Sequence, residues 1–120
     1  MKYRIITFVS LPLIAICLSG CTERRDILRS KETVLKDDLF TLRRTIDEFT
    51  YDKKRAPQSL DELVQTGYLR RIPKDPMTNE PNWEPVMETD MLSDGVEIGI
   101  ADIHSSSRQI STQGTAYDTW

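Results

Sequence analysis

The chain has 120 residues, with 16 basic and 19 acidic side chains and a formal net charge of −3. This length suffices for one small domain. The acidic balance argues against a nucleic-acid-binding protein, because binding to nucleic acid needs clustered cations that displace counterions from the phosphates.

The first predicted element is a secretory signal. Lys2 and Arg4 supply a positive start, an apolar run covers residues 5–18, and small residues lead into Cys21. The run could also be a buried helix or an uncleaved anchor, but it is shorter than the roughly 20 residues that a spanning helix needs. Residues 18–21 (Leu-Ser-Gly-Cys) resemble the bacterial lipobox. The resemblance implies cleavage before Cys21, a diacylglyceryl group on its thiol and acylation of its freed amine, with palmitate as a typical acyl group.

Three segments follow from this interpretation: a lipoprotein signal peptide over residues 1–20, a lipidated tether over 21–30 and a folded domain over 31–120. Two or more acyl chains give stable membrane anchoring. Cys17 is lost with the signal and Cys21 carries lipid, so no thiol remains for a disulfide or a thiolate metal site. Because Lys2 and Arg4 leave with the signal, the remaining net charge is −5. Thr22, in place of the aspartate that retains lipoproteins at the inner membrane, favours an outer-membrane position facing the periplasm in a cell with two membranes.

A long amphipathic helix is predicted from about residue 30 to residue 53. Its apolar positions are separated by three, four or seven residues, which places them on one stripe, and Val34 broadens that stripe. Glu32 interrupts the apolar stripe between Leu28 and Leu35, so the first turns are less strongly predicted to pack against a core. Pro57 prevents continuation. The stripe consists of Leu28, Leu35, Leu39, Leu42, Ile46 and Phe49, and the opposite face carries Lys36, Asp37, Asp38, Arg43, Arg44, Asp47 and Glu48.

A second, shorter helix is marked by its ends. Residues 59–62 (Ser-Leu-Asp-Glu) form a capping box, in which the Ser59 hydroxyl accepts from the Glu62 amide and the Glu62 carboxylate reaches back. Gly67 is placed for a left-handed cap. Four prolines between residues 73 and 85 then permit only turns or edge strands. Asp75 before Pro76 reads as a turn residue, not a catalytic one.

The last third of the chain is predicted to be β structure. Val96, Ile98 and Ile100 alternate with other residues as in a half-buried strand, after a turn at residues 93–95. Ile103 shifts the phase, which indicates a bulge or a strand end near Asp102. Residues 105–107 read as a polar serine loop, and residues 109–111 as a short return strand. At least one of the two terminal aromatic residues, Tyr117 and Trp120, is expected to dock on the fold.

This order of elements resembles the soluble domain of type II secretion major pseudopilins of the G type, from about residue 38 to residue 120. The resemblance implies an α+β, pilin-like fold with a long amphipathic N-terminal helix packed on a small antiparallel sheet, a short second helix and a proline-rich loop. It rests on residues 46–52, the turn at 54–57, the short helix at 59–64, the Gly-Tyr-Leu…Pro-x-Asp-Pro run at 67–76, Asn79, and Tyr117 with Trp120.

Two departures from that family change the expected function. The long apolar helix with which pseudopilins begin, and which packs the filament core, is absent. Phe40-Thr41-Leu42 is only an accidental match to the first residues of that helix. Ordinary polymerisation into a pseudopilus is therefore not expected. Many G-type members also bind calcium near the C-terminus. Only Asp102 and Asp118 offer carboxylates there, with Ser105, Ser107 and Thr112 as neutral oxygens, which is few for a cation that takes six to eight oxygen ligands. We therefore predict no metal and no cofactor.

No catalytic constellation is recognisable, so a non-enzymatic protein is predicted. His104 reads as a strand-end residue and the helix-face carboxylates read as solvated ion pairs. The favoured function is a membrane-anchored, pilin-like lipoprotein that serves a type II secretion or type IV pilus-like system as an accessory or assembly subunit. Its partners would be the membrane and proteins of that apparatus, with no nucleic acid and no small-molecule substrate. The alternative is a structural or binding envelope lipoprotein that reuses the fold, for instance by pairing the stripe as a coiled-coil seam.

Overall fold

The computed structural model describes residues 11–90 and 97–120, with side chains from residue 20 to 89 and from 97 onward. Helix α1 spans Leu11–Lys53 and helix α2 spans Leu60–Gln65. Strand β1 (Glu84–Asp90) and strand β2 (Glu97–His104) follow, and a 3-10 turn closes the chain at Tyr117–Thr119. The fold is α+β: the long helix packs on a two-stranded antiparallel sheet, with the short helix beside it. This coarse architecture confirms the prediction.

Helix α1 begins at Leu11, so the predicted start near residue 30 was too late. Residues 22–30 are helical because they contain neither Gly nor Pro and consist largely of residues that tolerate or favour a helix. Ser30 and Thr33 fit the helix by donating their hydroxyls to the main-chain oxygens four residues earlier, on Asp26 and Arg29. The predicted tether over 21–30 is therefore helical rather than a short frayed segment, and its lipidation stays a prediction.

The predicted stripe of α1 forms the core of the protein. Five of its six members are buried and Leu28 is half-buried against them, as the helical spacing predicted. Val34 was wrongly included, because it is 49% exposed. The stripe packs on side chains from every later part of the fold. The buried apolar residues are Leu35, Leu39, Leu42, Ile46, Phe49, Leu63, Leu69, Trp83, Ile100, Ile103 and Tyr117.

Helix α2 begins and ends as its sequence predicted. The Glu62 amide donates to Ser59 Oγ over 3.1 Å, which is the N-terminal half of the capping box. The Glu62 carboxylate reaches back one residue further than predicted, to the Gln58 amide at 2.8 Å. Gly67 adopts φ +84° after the helix, and the Tyr68 amide closes a Schellman motif on Leu63 O.

The sheet is held against the end of α1 at one close approach. The Ile100 amide donates to Pro57 O over 2.8 Å, and a Cβ placed on Gly99 would lie 2.4 Å from the Ala56 Cβ. A side chain at position 99 would therefore force the strand away from the turn that follows α1. Pro85 lies in β1, which has only one neighbouring strand within the described residues, in agreement with the prediction of an edge strand.

A bulge bends β2 as predicted. Val86 pairs with Asp102 and Met87 with Ile100, so Ala101 is left without an opposite residue. The extra residue turns both Ile100 and Ile103 into the core, although three positions separate them. The predicted turn at residues 93–95 and Val96 lie outside the described residues.

The C-terminal segment differs from its prediction in one respect. Residues 109–111 form only a single bridge, between Ile110 and Ala116, instead of a return strand. Tyr117 is fully buried and meets Trp120 edge-to-face at 5.2 Å between ring centroids, which confirms that an aromatic residue docks. The docked segment lies against α1, so it brings residues 112–120 to the side chains of Glu32, Lys36 and Arg43.

Candidate functional site

Cys21 lies in a solvent-exposed part of helix α1. We call residues 20–31 the stem: all of them are exposed except Leu28. Cys21 itself is exposed and carries a free thiol. At about 1.5 Å per residue, the stem separates Cys21 from the first fully buried stripe residue, Leu35, by roughly 21 Å of helix. A lipid on Cys21 would therefore be attached well away from the core.

The stem differs in charge from the rest of the described protein. It carries Arg24, Arg25, Arg29 and Lys31 against two carboxylates, Glu23 and Asp26. This excess of positive charge stands next to the predicted lipid site, in a chain that is acidic overall. Cations close to an anionic bilayer surface attract it, and the attraction falls off within a Debye length. The stem is therefore compatible with a membrane surface beside Cys21.

Glu32 forms the first of three polar clusters that attach loops to α1. Its carboxylate accepts from the Thr112 amide at 2.7 Å, the Thr112 hydroxyl at 2.6 Å and the Tyr117 hydroxyl at 2.8 Å. The residue is 5% exposed. Glu32 was read from the sequence as a weak point of the stripe, but it is the residue that fixes the C-terminal segment on the helix.

The ionisation of this cluster follows from its hydrogen bonds. Burial disfavours the charged form of Glu32, but the bonds from Thr112 and Tyr117 outweigh it and lower the pKa of the carboxyl. Burial and the bond to Glu32 together raise the pKa of Tyr117 to about 12. The cluster therefore holds one negative charge and one neutral phenol over the whole range near neutral pH.

Arg43 forms the second cluster, at the end of β2. Its Nε donates to Asp102 Oδ1 at 2.8 Å, and one terminal nitrogen donates to the main-chain oxygens of Ile103 and Trp120 at 2.9 and 2.7 Å. Burial disfavours the charged form of Asp102, but the Ile103 amide and the Arg43 guanidinium outweigh it and lower its pKa. His104 Nδ1 lies 2.6 Å from the same Trp120 oxygen. Arg43 thus ties helix, strand and C-terminal segment together.

Asp75 forms the third cluster and is fully buried. One carboxylate oxygen accepts from the Met77 amide at 2.8 Å, which is the turn capping that the sequence predicted. The other accepts from the Ser105 hydroxyl at 2.5 Å, 30 residues further along the chain. Residues 105–107 were predicted as a polar loop, and the structure shows that Ser105 and Ser107 of this segment are buried. Ser105 faces inward and donates to Asp75, while Ser107 donates its amide to Ser105 Oγ and accepts from the Gln109 amide.

In these clusters Asp75, Asp102 and Ser105 are hydrogen-bonded within the fold. The described residues contain no group of three or more His, Cys, Asp or Glu side chains arranged around a common point. Asp102, one of the two carboxylates considered for calcium, is bonded to Arg43 and the Ile103 amide. Asp118 lies in the closing 3-10 turn. His104 ends β2, where the sequence placed it, with its ring 3.5 Å from Asp102.

One further surface was not recognised from the sequence. A groove of about 490 Å³ runs between α1 and the C-terminal segment, lined in part by Lys36, Phe40, Arg43 and Trp120. The signal in the sequence was Phe40, which lies off the stripe and is 68% exposed. An aromatic side chain off the apolar face of an otherwise regular helix indicates either a second contact or a surface patch.

In the part of the chain that the structure describes, no helix combines the length and apolar character needed to cross a bilayer. No family model, curated protein or solved structure matches the chain.

Proposed function

We propose that the protein is a membrane-anchored, pilin-like lipoprotein that acts as an accessory or assembly subunit of a type II secretion or type IV pilus-like system. The observation that carries the proposal is the division of α1 into an uncovered stem with an exposed Cys21 and a segment whose stripe is buried. The lipobox-like residues 18–21 provide the chemistry of attachment, and the pseudopilin-like order of elements provides the link to secretion.

The arrangement suits a folded domain that is tethered to a membrane. Acyl chains on Cys21 would enter the bilayer, since each buried methylene contributes about 0.8 kcal/mol. Arg24 and Arg25 lie within about 6 Å of Cys21 along the helix axis, by the rise of 1.5 Å per residue. They are therefore placed to contact anionic lipid headgroups, while the acidic folded domain is held away from the membrane surface. The outer membrane, on its periplasmic face, is the proposed location.

The covered stripe also bears on the alternative function. A structural lipoprotein that dimerises through α1 needs the stripe as its seam. Leu35, Leu42 and Phe49 are fully buried within the same chain, so that seam is occupied. This form of the alternative would require the sheet and the C-terminal segment to leave the helix.

Lipidation is tested by intact-mass measurement of the protein purified from its native host. We expect a mass that corresponds to residues 21–120 plus a diacylglyceryl group and one further acyl chain. The variant Cys21→Ser should remain uncleaved and without lipid, whereas Thr22→Ser serves as the matched control that retains the modification. An unmodified Cys21 in the native protein would contradict the proposal.

The role in secretion needs a separate measurement. Cross-linking in whole cells followed by purification in mild detergent should recover pilus or secretion components with the native protein. The Cys21→Ser variant should lose them if anchoring is required for assembly. Recovery of envelope proteins without any secretion or pilus component would favour the alternative function and leave the lipidation result intact.

A further inference from the structure

The groove between α1 and the C-terminal segment has an apolar centre. Leu39 and Phe40 from α1 and the indole of Trp120 from the opposite wall provide its apolar side chains. Phe40 is 68% exposed although it is one of the largest apolar side chains of the helix. Thr115, Thr119 and Gln113 complete the second wall with polar groups. The groove thus offers an aromatic surface that none of the described residues covers.

Two cations flank this apolar centre. Lys36 and Arg43 lie four residues before and three residues after Phe40, which places them one helical turn to either side of the ring. The groove lining contains no Asp or Glu, although the chain carries more acidic than basic side chains. The side chains that line the groove are therefore net positive, although the protein as a whole is acidic.

The two cations differ in the contacts that they make within the fold. Arg43 uses its Nε and one terminal nitrogen on Asp102 and main-chain oxygens. Lys36 lies 4.8 Å from the centroid of the Trp120 ring. Among the described residues Lys36 forms no ion pair, although it lies close enough to Glu32 for its charge to help lower the pKa of that carboxyl. Lys36 is exposed, so its ammonium is accessible to a carboxylate from outside.

We propose that this groove binds an acidic peptide segment of a partner protein. An apolar side chain of the segment would lie on Phe40 and Trp120, and an adjacent carboxylate would meet Lys36. The charge of the lining selects the carboxylate, and the exposed aromatic ring selects the apolar neighbour. The inference rests on the groove alone, so it holds whether or not Cys21 is acylated and whether the partner belongs to a secretion system or to another envelope assembly.

The structure contains its own control for this proposal. Lys54 lies 4.5 Å from the centroid of the Tyr51 ring, and Tyr51 is 76% exposed. This second cation and aromatic pair lies at the far end of α1 and does not line the groove. It has the same kind of chemistry as Lys36 with Phe40 but lacks the opposite wall. A ligand that needs only an exposed cation and ring would bind both pairs equally.

The test uses the full-length protein in detergent, labelled with nitrogen-15, and three short peptides. The probes are acetyl-Glu-Leu-Glu-amide, acetyl-Gln-Leu-Gln-amide and acetyl-Lys-Leu-Lys-amide. We expect the acidic peptide to shift the resonances of Phe40, Thr115 and the Trp120 indole, with a Kd on the order of 1 mM for so short a ligand. The neutral peptide should bind at least about twofold more weakly and the basic peptide more weakly still, since exposed ion pairs contribute modestly.

Variants separate the two parts of the proposal. Lys36→Gln should remove the preference for the acidic over the neutral peptide, and Phe40→Ala should weaken both by about fivefold. Both residues are exposed, so folding is expected to persist, and the amide spectrum reports it directly. Lys54→Gln and Tyr51→Ala should leave both affinities unchanged.

Several outcomes would overturn the proposal. These are equal shifts for all three peptides, shifts confined to residues outside the groove, or an unchanged preference in Lys36→Gln. The same shifts with inorganic phosphate would identify a simple anion site. Shifts that grow with protein concentration in the absence of peptide would make a second copy of the chain the occupant.

Discussion

The stem and the packed part of α1 belong to one continuous helix but behave as two different structures. From residue 20 to residue 31 almost every side chain is in water. From residue 32 onward, every third or fourth side chain is buried, beginning with Glu32 and Leu35. The change coincides with the point at which the C-terminal segment first reaches the helix, at the contact of Thr112 with Glu32.

This difference teaches that the helix alone does not decide what it buries. Leu28 continues the apolar spacing into the stem but is only half-buried against the core. Most of the stability of a helix in a folded protein comes from tertiary packing of one face. Paired substitutions, one in the stem and one in the packed part, should therefore have very different effects.

The largest expected difference concerns apolar side chains. Leu35→Ala removes a fully buried side chain and should lower the free energy of unfolding by about 2–5 kcal/mol. Ile27→Ala, at a position that is 56% exposed, should change it by less than about 0.5 kcal/mol. Urea unfolding followed by the fluorescence of Trp83 and Trp120 measures both. A comparable loss in the two variants would mean that the stem is covered in solution.

The next largest effect concerns carboxylates at matched positions. Glu32→Ala leaves the Thr112 amide and the Tyr117 hydroxyl without their acceptor inside the fold, which should cost about 2–3 kcal/mol. Glu23→Ala in the exposed stem should cost close to nothing. The same urea measurement applies. If Glu32→Ala were neutral, the C-terminal segment would not be held by this cluster.

The decrease of the free energy of unfolding at acid pH, here called the acid limb, gives a second measurement on Glu32. Its pKa is lowered in the folded state, so its contribution is complete above the usual value of 4.5 and is lost as the pH falls through the folded value. Asp102 and Glu62 have lowered pKa values as well and contribute to the same limb. The difference between wild type and Glu32→Gln isolates the part due to Glu32, and it should shrink as the pH falls below the usual value of 4.5.

The alkaline limb tests the other half of the same cluster. The pKa of Tyr117 is raised to about 12, so its contribution is complete below pH 10 and is lost as the pH rises from 10 to about 12. Tyr117→Phe should cost about 1 kcal/mol at pH 7 and should lack this alkaline loss. The pKa of Tyr68 is also raised, by its bond to Asp52, so Tyr68 contributes to the same limb and Tyr68→Phe measures its separate share. An unchanged alkaline limb in Tyr117→Phe would contradict the proposed bond to Glu32.

Much of the fold was predictable because its signals are local. The stripe is set by helical spacing, the ends of α2 by Ser59 and Gly67, and the bulge by the shifted phase of Ile103. Each of these rules uses residues that are near neighbours in the sequence. The docking of Tyr117 was predictable from the cost of exposing a large aromatic side chain, without any knowledge of its partner.

The polar clusters were not predictable, because their partners lie far apart in the sequence. Glu32 finds its donors 80 and 85 residues later, and Asp75 finds Ser105 after 30 residues. A polar residue within a helix, or three serines in succession, has surface exposure as its ordinary interpretation. Only the tertiary fold shows that Glu32 and Asp75 accept hydrogen bonds from these distant residues. The same limit applies to the groove, because Trp120 and Phe40 come together only once the C-terminal segment has docked.

The smallest expected difference concerns two arginines that the sequence alone does not distinguish. Arg43→Gln removes a guanidinium that bridges Asp102 to the main-chain oxygens of Ile103 and Trp120, and should cost about 1 kcal/mol, since the site is partly exposed. Arg29→Gln, in the stem, should cost less than about 0.3 kcal/mol.

Arg43→Lys separates charge from geometry, because an ammonium cannot reproduce the fork that reaches three acceptors. We expect it to recover less than half of the loss. The ion pair with Asp102 is screened by salt, whereas the bonds to main-chain oxygens are much less affected, so part of the difference between wild type and Arg43→Gln should persist in 1 M NaCl. If the whole difference vanished in salt, Arg43 would act only as a surface charge, and the docked C-terminal segment would depend on its other contacts, such as those of Thr112 and Tyr117 with Glu32.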